Sequence, residues 1–231
     1  MRAESPLPVG SVALVALFVT ALVTAQLTAS KLLLFELPVS LPVTGASLVM
    51  PGAALAYALT FFASDCYSEL YGRRAAQTLV NVGFVMTLVM LALVYTTIEA
   101  PIAPFSEIGQ AEFSRVLWSS ANIVAGSLLA YLVSQNWDVV AFHAIRRRTG
   151  EAHLWLRNIA STATSQAIDT VIFVTVAFSV APALFGVGTA YGVDQILSLI
   201  VGQYVLKLGI AVLDTPFVYG LTRLFGTSEA R

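Results

Sequence analysis

Charge is what this chain has least of: only 11% of its 231 residues are Asp, Glu, Lys or Arg, where a soluble globular chain carries about 25%. A solvated surface is therefore excluded. Cysteine is nearly absent as well, and Cys66 alone makes no disulfide framework. His143 and His153 are the only histidines. Without partner cysteines they lack the spacing of a zinc or haem site, so no metal, cofactor or catalytic residue is expected. No phosphate-cradling glycine loop is present, and any coupling to ATP would need another subunit. Rings of like charge, as in an ion channel, are not evident. The formal net charge of −1, with cations in short clusters, gives no nucleic-acid surface. What remains is apolar: 58% of residues, with a mean hydropathy of +0.83.

A membrane-spanning helix needs about 20 mainly apolar residues. Six runs qualify, at roughly 9–30, 47–66, 76–98, 117–143, 159–181 and 194–222. They predict an all-α integral membrane protein, one six-helix domain over 1–231. The first run also fits a signal peptide with a small-residue site at Val23-Thr24-Ala25, but Glu4 beside Arg2 and the polar residues that follow favour a retained helix. With six passes, Arg2, Arg73, Arg74, Arg146, Arg147, Arg148, Arg157, Arg223 and Arg231 fall on one side and only Lys31 and Arg115 on the other. Both termini are thus expected in the cytoplasm. The basic stretch 144–157 is expected to touch anionic lipid.

Polar groups inside the spans are expensive in lipid and point to a cavity. Thr20, Thr24 and Thr28 form a stripe suited to helix packing, whereas Gln26 needs a partner for its amide. Residues 36–52 hold three prolines and two glycines, and are expected to form a re-entrant or extended stretch at the outer entrance. Asp65 and Glu69 share a helical face ahead of Gly72 and Arg73-Arg74; a solvated helix end and an inner vestibule both fit. Asn81 and Asn122 are amides in the third and fourth spans. Ser134, Gln135 and Asp138 repeat the SQ-x-x-D order of Ser165, Gln166 and Asp169, and in antiparallel neighbours the two patches would meet. In the last span Gln203, Lys207 and Asp214 lie on one side, where Lys207 and Asp214 can neutralise each other. Pro216 can kink the end.

Carboxylates and amides at close quarters suit a small neutral solute with several N–H and C=O groups along one edge. Asp169, Gln166, Asp138, Gln135, Ser165, Gln26, Asn81, Asn122 and Gln203 are the candidate contacts. Lys207, Asp214, Asp65, Glu69 and Arg157 are candidate gating or coupling groups. Trp137, Trp155, Phe173 and Tyr204 offer rings on which a flat solute can stack. A lipid-acting membrane enzyme using paired carboxylates is a reading from another class, and association into a homo-oligomer stays open.

The runs SDCYSELYGRR, SQNWDVVAF, LWLRNIASTATSQAIDTVIF and VLKLGIAVLDTPFVYG resemble the queuosine-precursor transporter family, also called the vitamin uptake transporter family, over about residues 20–222. The residues that match are Asp65, Glu69, Gln135, Asp138, Arg157, Ser161, Gln166, Asp169, Lys207 and Pro216. Cys66-Tyr67-Ser68 stands where a more aliphatic run is expected. The resemblance implies a six-helix inner-membrane importer of 7-cyano-7-deazaguanine or its aminomethyl relative, supplying tRNA modification toward queuosine or archaeosine. It also implies a fold similar to the substrate-binding subunits of energy-coupling-factor transporters. A substrate-capture subunit dependent on an ATPase partner is the alternative on the same fold.

Overall fold

In a computed structural model, which describes residues 8–41, 43–149 and 154–226, the described residues form helices, one hairpin and the short segments that connect them. Pro8 precedes α1 (Val9–Thr28) at a position whose N–H would have no helical partner, so the ring costs nothing there. The hairpin follows, with β1 (Leu32–Leu41) antiparallel to β2 (Gly45–Pro51) and Leu32 opposite Pro51. The extended stretch expected over residues 36–52 is this hairpin. A helix starting at residue 47 does not form, because Pro51 would sit inside its second turn with no N–H to give. Instead α2 starts beyond Pro51-Gly52 and runs Ala54–Tyr71.

Gly72, with φ +87°, turns the chain from α2 directly into α3 (Arg73–Glu99). Only glycine adopts that backbone without a Cβ clash. Next come α4 (Gln110–Thr149) and α5 (Leu154–Thr175). A π-helical turn at Val176–Val180 then leads into α6 (Ala181–Phe185). The widened turn has a local cause. Pro182 has no N–H to return to Phe178, and the Phe178 carbonyl accepts from the Tyr191 N–H at 2.8 Å instead. The last helix, α7, covers Val193–Gly226.

Two packed clusters hold the bundle together. Phe18, Leu22, Ala63 and Leu79 join α1, α2 and α3. Ile123, Ala130, Phe173, Val174, Phe178, Ile196 and Leu199 join α4, α5 and α7. Outward faces stay apolar: on α3, Val82, Val85, Val89 and Leu93 recur at three- and four-residue steps, each about half exposed or more. Such a stripe would be an aggregation hazard in water and is ordinary against lipid tails. Five helical segments are long and apolar enough to cross a membrane: Val9–Thr28, Arg73–Glu99, Gln110–Trp137, Ala163–Phe185 and Val193–Ile210. α2, which carries Asp65 and Glu69, is not among them.

Candidate functional site

Between the two clusters lies a partly open cavity. Every long helix lends it a side chain: Gln26 from α1, Tyr57 from α2, Phe84 from α3, Ser127 and Tyr131 from α4, Asp169 and Phe173 from α5, and Gln203 and Lys207 from α7. Pro51 at the end of β2 closes one side.

The charge in this cavity is one ion pair. Lys207 Nζ lies 2.7 Å from Asp169 Oδ2, with side chains 6% and 18% exposed. Ser134 Oγ donates to the other carboxylate oxygen at 3.3 Å, and the Lys207 ammonium sits 6.0 Å from the centre of the Tyr57 ring, within cation–π range. The two SQ-x-x-D patches meet as their spacing suggested, through Ser134 and Asp169. Gln135 does not join them. It lies one residue, or 100°, round α4 from Ser134 and is exposed. Lys207 pairs with Asp169, while Asp214, the partner expected from the sequence, has its side chain outside the described residues. The side chains of Asp138, Arg157, Ser161, Asp214 and Pro216 lie outside the described residues.

Two amides complete the polar lining. Gln26, 3% exposed, donates from Nε2 to Ser127 Oγ at 3.4 Å, and its Oε1 has no partner. Gln203 Oε1 is likewise buried without a partner. Turning either amide over exchanges an orphan acceptor for an orphan donor and leaves the need for a ligand unchanged. A buried polar group left so costs roughly 1–3 kcal/mol, which a ligand can recover.

The structure thus brings Gln26, Asp169, Gln203 and Lys207 together. Other candidates sit elsewhere. Asn122 Nδ2 donates to the Val187 carbonyl at 2.8 Å and ties α4 to the segment after α6. Asn122→Ala is therefore expected to loosen that segment at a cost of about 1 kcal/mol, read as a lower melting temperature in detergent with substrate affinity little changed. Asn81, exposed on α3, accepts from the Tyr131 hydroxyl at 2.6 Å and from Gln77 Nε2 at 3.1 Å, so it orients a lining residue from behind. Ser165 is buried and Gln166 partly so, with Gln166 Oε1 lacking a partner, but neither lines the cavity. Asp65 and Glu69 are exposed on the last turns of α2. Tyr57, Phe84, Ser127 and Tyr131 are lining residues that sequence reasoning missed. Aromatic and hydroxyl side chains are common in membrane helices, and nothing in their spacing set these four apart.

Residues 51–221, well over half the chain, match the family model described as "Putative vitamin uptake transporter". The chain belongs to the vitamin uptake transporter family. The transporter is also 33% identical over 174 residues to the "Probable queuosine precursor transporter" of Bacillus subtilis (strain 168), a match that covers 75% of this chain and 72% of that protein. No solved structure is significantly similar to it. Family membership and the apolar helices make this a multi-pass membrane transport protein and not an enzyme, which agrees with the resemblance in its motifs.

Proposed function

We propose that this transporter imports a 7-deazaguanine precursor of a modified tRNA base, 7-cyano-7-deazaguanine or its aminomethyl relative, across the cytoplasmic (inner) membrane. The observation that carries the reading is the pair of unpartnered amide oxygens, Gln26 Oε1 and Gln203 Oε1, beside an ion pair that is already neutral. A deazaguanine presents N1–H and an exocyclic NH₂ next to a carbonyl, so one edge supplies donors for both amides and an acceptor for a turned one. Phe84 and Tyr131, with ring centres 4.1 Å apart, and Phe173 offer apolar faces for the flat ring. The printed name of the Bacillus relative supports the same substrate class.

In this reading α2 is a sixth span, both termini are cytoplasmic, and the fold is of the energy-coupling-factor substrate-binding kind. Asp169, Gln26 and Gln203 act at the ring edge with Lys207 as the coupling group, while Asp138, Asp214 and Arg157 act nearer the inner surface. The test is uptake of labelled precursor by a strain unable to synthesise it. Accumulation is expected only when the chain is expressed, and its absence there would refute the reading. Purified chain in vesicles should accumulate substrate without ATP; binding with no accumulation would instead mark a capture subunit awaiting an ATPase.

A further inference from the structure

The cavity's charge balance says which 7-substituent it takes. Among the described residues that line it, Asp169 is the sole acid and Lys207 the sole base, and they are joined at 2.7 Å. Each oxygen of the carboxylate already has one partner, Lys207 on one and Ser134 on the other. A neutral ligand leaves the ion pair intact while it bonds to the orphan amides and to the remaining lone pairs of Asp169. A ligand with an ammonium group adds a second cation near a buried lysine. The one described carboxylate in the lining is already neutralised by Lys207, and capturing it fully would leave Lys207 buried without its counter-charge. The lining is mostly apolar apart from these groups, so the two charges interact more strongly there than in water.

We infer that the Lys207–Asp169 pair is a charge filter that makes the cavity select neutral planar heterocycles over cationic ones of the same shape. The inference rests on the deazaguanine reading above and sharpens it. Of the two compounds named there, the cyano form is neutral and the aminomethyl form carries an ammonium group on an otherwise similar ring. Lys207 is then a specificity-determining residue, since its charge cancels the one described acid in the lining.

Direct binding of both labelled compounds to the purified full chain in detergent tests this. The native protein should hold the cyano compound at least about tenfold more tightly. Lys207→Met leaves Asp169 as a free acid and should reverse the order. Lys207→Arg keeps the cation and should retain the native order, and Lys207→Met combined with Asp169→Asn should remove the preference. Equal affinities in the native chain, or tighter binding of the aminomethyl compound, would overturn the filter while leaving the substrate class standing. Binding of neither compound to a native chain that is folded and monodisperse would overturn the substrate class and the filter with it. The native measurement decides even if a variant does not fold.

Discussion

Truncating Asp169 to alanine is expected to destabilise the protein by roughly 3–5 kcal/mol and to abolish uptake. The loss exceeds the value of one hydrogen bond because Lys207, 6% exposed, would be left inside the bundle without its counter-charge. The size of the effect thus belongs to the partner left behind. Removing both charges separates the two consequences. Asp169→Leu with Lys207→Met should regain most of the stability, since buried pairs replaced by apolar side chains are often neutral or better, yet uptake should stay absent. Thermal melting in detergent together with a transport assay reads both, and the interaction energy follows from the double-mutant cycle. Additive stability losses would mean that the two side chains do not form a pair in the detergent-solubilised protein.

Gly202→Val should be nearly as damaging, through shape alone. A Cβ at this position would collide with the Val49 carbonyl oxygen of β2 and lie 3.1 Å from its carbon. Both are backbone atoms, which cannot swing aside as a flexible side chain does. β2 is held in turn by its pairing with β1 and by the packing of Leu48, Met50 and Ala54 with Leu33 and Leu206. Separating α7 from the hairpin therefore moves Pro51, Ala53 and Ala54 on one wall of the cavity away from Gln203 and Lys207 on the other. A cost of about 1–3 kcal/mol or more is expected from overpacking, with substrate affinity falling further than stability. Gly209→Ala, on the same helix with nothing within 4 Å of the added carbon, is the matched control. It should be neutral or slightly stabilising, since alanine is the better helix former. Equal behaviour of the two variants would mean that the hairpin does not rest on α7.

Much of the fold was legible because the forces that make it are local. An apolar run of membrane length is stable only as a helix in lipid, since every backbone N–H and C=O must find a partner within the segment. That principle placed the long helices, and the prolines and glycines of residues 36–52 marked the stretch that folds as a hairpin. The errors were at the edges. α4 begins at Gln110 where residue 117 was expected, because its first turns are polar while hydropathy detects only the lipid-facing part. The π-helical turn before Pro182 escaped notice because it depends on Tyr191, nine residues beyond, taking up a freed carbonyl.

The site was legible in part and for a different reason. Gln203 and Lys207, one turn apart on α7, face the cavity together, as helical spacing requires. Ser134 and Gln135, adjacent in sequence, cannot both do so. Periodicity ranks the faces of one helix, but it does not say which face the neighbouring helices cover. Asn122 shows the consequence: a buried amide in a span reads as a ligand contact, and here its donor is spent on the Val187 carbonyl.

The sequence by itself determined that this is a helical membrane protein of the vitamin uptake transporter family and which residues carry its scarce polar chemistry, since hydropathy and motif are properties of the chain. The tertiary structure alone decided that Lys207 pairs with Asp169 and that Gln26, from the first helix, shares a cavity with Gln203, from the last. Those contacts depend on how helices far apart in sequence pack together, and no spacing along a single helix encodes that.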